Sequence, residues 1–349
     1  MTTAPNIVLR WRGWSLLLPR RALWLNIILF AQLVIGSTTA LMLGRLPIGT
    51  QEIWQVILGN APSRAVEHVL IDIRLPRLLV TIGAGAALGA SGAVFQTISR
   101  NPLGSPDVIG FTAGAATGAL IWIIVFGGTG ANVVLAAMAG ALLTGVGVYL
   151  LARKDGRVSA YRLVLTGIGV GAVLHAINAL LLVKGDLDVA ISANLWLAGS
   201  VDGRDWGHVW PLWLGLIALM GPMLLGMRPL GMMEMGDDLA GPLGVPVERV
   251  RRWMLLGALI LAALATSATG PIAFVALAAP QLARRLGRAP TQPLIGATLF
   301  GACLMLGADL LTRVAPFDLT MPIGQVTGII GGVYLIWLLA GNRLRNGAP

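Results

Sequence analysis

Long runs of uncharged, apolar residues constrain this chain more than any other feature. Most are about 20 residues long, which as a helix matches the roughly 30 Å hydrocarbon core of a bilayer. They cover residues 23–43, 78–98, 108–126, 132–152, 163–183, 208–227, 253–283, 294–311 and 319–340. Only 11% of the 349 residues are charged, well below the roughly 25% of soluble domains. The pattern predicts an all-α polytopic membrane protein, with a single permease domain over residues 1–349 because no linker divides the chain.

The run over residues 253–283 is too long for one crossing. As one helix it would rise about 46 Å, against a hydrocarbon core of roughly 30 Å. Arginines flank it on both sides, so an even number of crossings keeps both flanks in the cytoplasm. Gly270-Pro271 supplies a break, because glycine permits a turn and proline cannot continue a helix. Two short helices, over residues 253–269 and 271–286, bring the predicted number of transmembrane helices to ten.

The distribution of basic residues predicts the orientation. With the N-terminus inside, 18 of the 25 Lys and Arg residues lie in cytoplasmic segments, in line with the positive-inside rule. Both termini are then cytoplasmic, including an N-terminal tail over residues 1–22. The first five helices begin inside and the second five begin outside, so the two five-helix halves are inverted relative to each other, as in many transporters. Small residues at four-residue spacing, such as Gly85 and Gly89, favour close helix packing.

A polar segment over residues 229–252 lies between the sixth and seventh predicted helices, on the cytoplasmic side. An acidic cluster comes first, followed by a small apolar patch (Leu239, Ala240 and Leu243), a turn and a basic end. Glycines on either side permit a sharp entry and exit for a short helix. This order predicts a docking surface for an ATPase, and the alternative is an ordinary solvated loop. Its candidate contact residues are Glu234, Met235, Gly236, Asp237, Asp238, Leu239, Ala240, Leu243 and Gly244.

Several kinds of chemistry lack the residues that they need. The chain has no Gly-x-x-x-x-Gly-Lys-Ser/Thr motif, so it cannot hold ATP in a P-loop. Its three histidines and one cysteine form no metal-binding pattern, and His175, inside a span, is interpreted as a packed core residue. The net charge of +10 comes from arginines between spans, which form no basic stripe for nucleic acid. We expect a transport subunit that is not an enzyme and binds no metal or cofactor, with ATP and Mg²⁺ bound by a partner ATPase.

A self-contained secondary transporter is the alternative from a different class. Such proteins usually carry acidic residues in the middle of the membrane. The predicted spans contain one, Asp309, near the outer end of the ninth helix. Arg313 follows four positions later, so the two are predicted to form a local ion pair rather than an ion relay. A permease with neither a nucleotide site nor an ion relay needs energy from elsewhere, and the segment over residues 229–252 is where it would receive it.

Motifs between residues 20 and 342 resemble one family. They are Arg74-Leu-Pro-Arg77, Gly89-Ala-Ser-Gly-Ala-Val-Phe-Gln96, Asn101-Pro-Leu-Gly-Ser-Pro-Asp-Val-Ile-Gly110, Glu234-Met-Gly-Asp-Asp238, Gly270-Pro-Ile-Ala-Phe274 and Leu319-Thr-Met-Pro-Ile-Gly324. On these motifs the chain is similar to the permeases of iron-siderophore and vitamin B12 ABC importers, the FecCD family. Its Asn-Pro-Leu-Gly-Ser-Pro-Asp and Glu-Met-Gly-Asp-Asp segments are most similar to ferric-enterobactin permease subunits.

The resemblance implies an assembly. Two permease subunits of ten helices each form the pathway, two ABC ATPases bind beneath them, and a periplasmic siderophore-binding protein docks above. The second permease is expected to be a paralogue, which gives a heterodimer, although a homodimer stays open. The family's coupling helices correspond to residues 230–245. Its cytoplasmic gate corresponds to Asn101 and Leu103 after the second helix, and to Ser159, Ala160 and Tyr161 at the start of the fifth.

Three arginines at the outer ends of helices match the family's docking arginines: Arg74, Arg77 and Arg313. The outer face is otherwise slightly acidic, and guanidinium groups suit carboxylates on a binding protein. The alternative is that they are snorkelling anchors at the lipid interface. One departure is visible, because this chain has Pro280-Gln281 where relatives often have Pro-His. No role is assigned to that position.

These features predict the membrane subunit of an ATP-driven importer of ferric siderophores, of the catecholate type, in a bacterial inner membrane. Import of cobalamin or haem by the same machinery is the first alternative. A secondary transporter is the second, and dependence of transport on a co-purifying ATPase distinguishes it.

Overall fold

The computed structural model describes residues 6–11, 14–44, 46–289, 292–314 and 321–346, which are predominantly helical. The helices are α1 (Arg20–Met42), α2 (Thr50–Ile57), α3 (Arg64–His68), α4 (Leu75–Ser99), α5 (Phe111–Leu120), α6 (Ala131–Ala152), α7 (Ala160–Lys184), α8 (Leu187–Leu197), α9 (Trp206–Met232), α10 (Asp237–Ala240), α11 (Val247–Thr269), α12 (Val275–Gly287), α13 (Leu294–Val314) and α14 (Ile323–Asn346). Residues 1–5, 12 and 13 of the predicted N-terminal tail, and residues 319 and 320 of the last predicted span, lie outside the described residues.

A helix lies at each of the ten predicted spans. Within the described residues, seven helical stretches are long and apolar enough to cross a membrane: Arg20–Met42, Arg64–Ser99, Ala131–Ala152, Ala160–Lys184, Trp206–Met235, Val247–Thr269 and Leu294–Val314. The third predicted span corresponds to the shorter stretch Phe111–Val125, and the tenth to Ile323–Ile336. The eighth corresponds to α12, which has 13 residues. The helical membrane fold is thus confirmed, whereas the count of ten crossings and the placement of the termini stay predictions.

The break at Gly270-Pro271 lies where the sequence predicts it. α11 ends at Thr269, Gly270 has a φ of 75°, and α12 begins at Val275. A loop from the end of α8 packs into this break, because the Ser200 N–H donates to the Thr269 carbonyl at 2.7 Å. Each half of the predicted pair is therefore a separate helix. The backbone at the break is held by a hydrogen bond from the loop after α8.

α4 is the central helix of the fold and is buried along almost its whole length. It packs against α13, α11, α12 and α9. A Cβ placed on Gly85 or Gly89 would collide with backbone carbonyls of Gly301 and Ala297 on α13. The absence of side chains at these positions lets the two backbones touch, which confirms the close packing predicted from the small-residue spacing.

Several elements have no counterpart in the sequence analysis. Strands β1 (Asn6–Trp11) and β2 (Trp14–Pro19) form an antiparallel hairpin before α1. Two antiparallel strands of two residues each, β3 (Arg153–Lys154) and β4 (Arg157–Val158), connect α6 to α7. The short helices α2, α3 and α8 lie in the long connections on the predicted outer side. They are too short and too polar at their ends to resemble membrane spans, which is why a search for spanning runs passes over them.

Candidate functional site

The predicted coupling segment forms a tight turn between α9 and α11. α9 continues into a 3₁₀ turn, Met233–Met235, and α10 follows directly. Gly236 has a φ of 120° and Gly244 a φ of 87°. Both values lie in the region that favours glycine, because a Cβ there meets the backbone. The two glycines therefore permit the sharp entry and exit that the sequence predicts.

The outer surface of the coupling segment carries an exposed apolar patch. Leu239 and Leu243 are 60% and 63% exposed, and Met235 is 58% exposed. Ala240, which the sequence analysis places in the same patch, is fully buried. That placement is wrong, because α10 ends at Ala240 with this residue buried, whereas Leu243 lies in the turn that follows. Three large apolar side chains exposed beside acidic residues form a small surface suited to a protein partner.

Asp237 fixes the coupling segment to the helices behind it. Its Oδ1 accepts from Nη2 of Arg100 at 2.5 Å, and its Oδ2 accepts from Nη2 of Arg251 at 2.6 Å. Arg100 also donates through Nε to the Met233 carbonyl at 2.9 Å. Arg251 is nearly buried and pairs in addition with Glu248. One carboxylate therefore ties the segment to the end of α4 and the start of α11.

The other two predicted acidic residues differ in their surroundings. Glu234 Oε2 lies 3.8 Å from Nη2 of Arg284 on α12, which is a long ion pair. Asp238 is exposed, and no ion pair in the described part of the chain involves it. The acidic cluster is thus divided between holding the segment in place and facing outward.

The loop after α4 contains the first part of the predicted gate. Asn101 Oδ1 accepts from the Leu103 backbone N–H at 2.9 Å, so the side chain of Asn101 holds the loop. Arg100, at the C-cap of α4, has a left-handed φ of 49°. Leu103 is 47% exposed on this chain. A seal at this position therefore requires further groups beyond those that this chain packs against it.

Three buried glutamine side chains support the gate loop from behind. Gln281 on α12 donates through Nε2 to the Pro102 carbonyl at 2.8 Å and to Gln96 Oε1 at 3.1 Å. Gln292 donates to the same Gln96 oxygen at 3.0 Å, and Gln96 itself donates to the Leu277 carbonyl at 2.9 Å. The residue that departs from the Pro-His pattern is thus a structural link between α12 and the gate loop.

The second part of the predicted gate lies at the start of α7. Ser159 caps this helix by accepting from the Arg162 N–H at 3.3 Å. Ala160 is half-buried, and Tyr161 is 76% exposed. No hydrogen bond among the described residues joins this group to Asn101 or Leu103.

At the predicted outer end, Arg74 is almost completely buried. Its guanidinium donates to the carbonyls of Leu41 at 2.6 Å and Met42 at 3.1 Å, and also to that of Leu46. These carbonyls lie at and just after the C-terminus of α1, where they have no intrahelical partner. Arg74 satisfies them, as basic side chains commonly do at helix C-termini.

Arg77 and Arg313 meet at Asp309, whose side chain is fully buried. Asp309 Oδ1 accepts from Arg77 at 2.7 Å, and Oδ2 accepts from Arg313 at 2.6 Å. Arg313 also donates to the Ala40 carbonyl at 2.6 Å, and Arg77 pairs with the exposed Asp202. The predicted pair of Asp309 and Arg313 is confirmed, and it belongs to a larger network that joins α1, α4 and α13. Docking of a binding protein on these arginines stays a prediction.

Comparison with known proteins identifies the chain. The model of the FecCD transport family matches residues 32–341. The chain belongs to the FecCD transport family. It is 42% identical over 320 residues to the ferric enterobactin transport system permease protein FepG of Escherichia coli (strain K12), covering 92% of this chain and 96% of FepG. It is 35% identical over 319 residues to the iron(3+)-hydroxamate import system permease protein FhuG of Bacillus subtilis (strain 168), covering 89% and 94%.

This chain is also similar to a solved structure, that of a metal-chelate type ABC transporter in an inward-facing conformation. The TM-score is 0.81 at 27% identity, and the match covers 91% of this chain and 99% of the other. Other matching relatives bear names for citrate, hemin and cobalamin transport. Relatives of this chain thus bear names for chemically different metal chelates.

The interpretation of His175 as a packed core residue is wrong. The residue is exposed rather than packed in the core. It lines a cavity of about 500 Å³ together with Asp107, Thr112, Phe274 and Gln325. The sequence shows only that this histidine lies inside an apolar run, whereas its exposure depends on which face of α7 the neighbouring helices cover.

A histidine–carboxylate pair lies at the start of α9, on the predicted outer side. His208 lies 2.6 Å from Asp205 through Nδ1. This hydrogen bond holds the pKa of Asp205 below its ordinary value, although partial burial opposes the shift.

Sequence reasoning missed Arg100 and Arg251, which hold the coupling segment, and the glutamines behind the gate loop. Arg100 directly precedes the Asn-Pro-Leu-Gly motif, so its position on the inner side was visible. Its partner was not, since Arg100 and Asp237 are 137 positions apart. A search for arginines on the predicted inner side that could pair with the acidic residues of the coupling segment would have found both Arg100 and Arg251.

Proposed function

We propose that this chain is the membrane-spanning permease subunit of an ATP-driven importer of ferric siderophores of the catecholate, enterobactin-like class. It receives the chelate from a periplasmic binding protein and releases it into the cytoplasm across a bacterial inner membrane. ATP and Mg²⁺ are bound by a partner ATPase. The observation that carries the proposal is the coupling segment, whose exposed apolar patch is presented on a loop that ion pairs tie to the gate region. The 42% identity to FepG favours the catecholate class.

Coupling passes through Arg100 in this proposal. An ATPase that grips Leu239 and Leu243 moves Asp237 and the Met233 carbonyl, both of which Arg100 contacts. Arg100 is the C-cap of α4 and is followed directly by Asn101 of the gate loop. Because the guanidinium contacts two points of the segment and belongs to the residue next to Asn101, a displacement of the segment is expected to reach the gate loop through this side chain.

A second permease subunit covers part of α7 and closes the gate. The exposed apolar side chains of α7 are Tyr161, Leu165, Ile168, Val173, Ile177, Leu180 and Val183. Hydrocarbon would suit these residues, but it does not suit the exposed imidazole of His175, nor Asp107 and Gln325 in the cavity that His175 lines. We propose a paralogous subunit on this side, which gives a heterodimer with Leu103 and Tyr161 near the inner end of the shared pathway.

Competition for uptake tests the substrate class. Cells that lack their own importers and express the complete system are given radioactive ferric enterobactin. An excess of unlabelled ferric enterobactin should suppress uptake, whereas a ferric hydroxamate and cobalamin should not. Efficient suppression by cobalamin, or uptake of haem in place of the catecholate, would move the protein to the corresponding branch of the family.

A second measurement tests the source of energy. Replacement of the P-loop lysine in the co-purifying ATPase should abolish uptake, since this chain has no nucleotide motif of its own. Uptake that persists in this variant and collapses when the proton or sodium gradient is removed would instead establish a secondary transporter.

A further inference from the structure

A polar cavity of about 630 Å³ opens beside the gate loop at the predicted inner end. Asn101 and Pro102 of the gate loop form one side, and Glu234 of the coupling segment lies on another. The last turn of α12 and the residues after it contribute Arg284, Arg285 and Arg288. The cavity therefore lies where a substrate that has passed the gate loop would meet the cytoplasm.

The lining of this cavity is strongly positive. Its charged lining residues are one carboxylate, Glu234, and four arginines: Arg100, Arg284, Arg285 and Arg288. Arg100 is engaged by Asp237, and Arg284 lies near Glu234. Arg285 and Arg288 are both exposed, and no ion pair among the described residues involves either of them. Two guanidinium groups are thus available to an anion from the cavity.

The cavity also contains an unsatisfied acceptor. Gln292 is 95% buried, since its exposed fraction is 5%. Its Oε1 has no hydrogen-bond partner among the described residues, although its Nε2 donates to Gln96. A buried amide oxygen without a donor is costly, so the site suits a ligand that brings an N–H or O–H group. The cavity combines this acceptor with cationic side chains.

We propose that this cavity is a release site for anionic ferric chelates and that Arg285 and Arg288 are its selectivity residues. This inference rests on the proposed function. A ferric tris-catecholate is an anion, because three doubly deprotonated catechols outweigh the charge of Fe³⁺. A ferric trihydroxamate is neutral, because three singly deprotonated hydroxamates balance it. Arginine forks match the paired oxygens of the catecholates, and their positive field attracts the anion past the gate loop.

The test uses the complete importer in nanodiscs, with permease, partner permease and ATPase. Equilibrium dialysis with radioactive iron measures binding of ferric enterobactin and of a neutral ferric trihydroxamate, at low and high salt. The variant is Arg285→Gln/Arg288→Gln. Its matched control is Arg153→Gln/Lys154→Gln, which removes two exposed positive charges from the β3–β4 hairpin, outside the cavity. Co-purification with the ATPase is measured for both.

The double variant should bind ferric enterobactin about three- to tenfold more weakly. It loses two guanidinium contacts with the anionic chelate, and water and salt partly screen each of them. Binding of the neutral chelate and co-purification of the ATPase should stay unchanged, and high salt should remove the difference from wild type. The control variant should bind both chelates as wild type does.

Two outcomes overturn the inference. One is equal binding of ferric enterobactin by wild type and the double variant at low salt. The other is loss of the ATPase from the double variant together with weaker transport of every chelate, which would make these arginines part of the ATPase interface. Failure of the proposed function looks different, since the wild-type complex in proteoliposomes would then take up no ferric chelate at all.

Discussion

The two ends of the molecule each carry a carboxylate held by two arginines, but the two carboxylates differ in burial. At the predicted outer end, Asp309 is fully buried between Arg77 and Arg313. At the predicted inner end, the Asp237 side chain is 42% exposed between Arg100 and Arg251. A buried ion pair is strongly coupled to the fold, because the loss of one partner leaves an uncompensated charge away from water. A half-exposed pair is easily exchanged for water, so it can be moved by a partner.

The outer network is therefore expected to fix helices relative to one another, and the inner network to transmit motion. Arg74 and Arg313 reinforce the outer network through carbonyls near the end of α1. The inner network instead spans a short segment flanked by two glycines with positive φ. Variants in each network, and at the surfaces beside it, test this difference.

Asp309→Asn should destabilise the protein by about 3–5 kcal/mol, the usual cost of breaking a buried ion pair from one side. The asparagine is nearly isosteric, so the loss comes from charge rather than from a cavity. The midpoint of thermal unfolding in detergent measures it. Asp202→Asn is the control, because this exposed carboxylate also pairs with Arg77 and should cost only about 0.2–1 kcal/mol. Equal effects of the two variants would remove the distinction between the ends.

Leu243→Asp and Gly236→Pro should each abolish uptake while the protein still folds and inserts. Leu243 is exposed on the coupling segment, so an aspartate there spoils an apolar contact without burying a charge. Proline cannot adopt the φ of 120° at Gly236. Uptake and ATPase turnover in proteoliposomes are the readouts, with Lys154→Asp as a control for an added acid on another inner loop. Normal uptake at normal turnover in both variants would show that this segment does not couple.

Arg100→Gln should separate ATP hydrolysis from transport with little loss of stability. Its pair with Asp237 is about half exposed on both sides, so we expect a cost of about 0.2–1 kcal/mol in unfolding. Because the same side chain joins the segment to the gate loop, transport per ATP hydrolysed should fall several-fold more than the hydrolysis rate. Arg100→Lys keeps the charge but not the two-point contact, and should restore stability without restoring coupling. Full coupling in Arg100→Gln would place the link elsewhere.

Leu103→Ala should raise basal ATPase turnover or leak of the chelate. A truncated apolar side chain seals a constriction less well, and Leu103 is held at the tip of its loop by Asn101. Efflux from loaded proteoliposomes without ATP measures the leak. Leu239→Ala, on the coupling segment, is expected to lower coupled turnover instead. Unchanged efflux and unchanged basal turnover in Leu103→Ala would contradict the assignment of this loop as a gate.

Asp202→Asn should strengthen binding-protein docking slightly. If Arg77 pairs with a carboxylate of the binding protein, the removal of its competing partner Asp202 frees the guanidinium. A gain of about two- to fivefold in affinity corresponds to one exposed pair of about 0.4–1 kcal/mol. Arg77→Lys should weaken docking, and added salt should weaken it further. An affinity that is the same in Asp202→Asn, Arg77→Lys and wild type would assign Arg77 to the internal network alone.

The interior of α7 illustrates where sequence reasoning reached its limit. The apolar run over residues 163–183 predicts a helix, and α7 is one. It does not predict which face is covered, because the burial of α7 is set by its neighbours and only a few of its positions are buried. The sequence therefore predicts a core position for His175, which is exposed; in the same way it predicts a surface position for Ala240 of α10, which is buried.

The sequence by itself determined the helices, the break at Gly270, the position of the coupling segment and the family. These features depend on local properties: spanning length, the backbone freedom of glycine and proline, and short motifs that lie together along the chain. Only the tertiary structure decided which charges meet. Arg77 and Asp309 are 232 positions apart, and α4 and α13 bring them together by packing glycine against backbone. The pairing of charges across helices depends on that approach, and no local pattern specifies it.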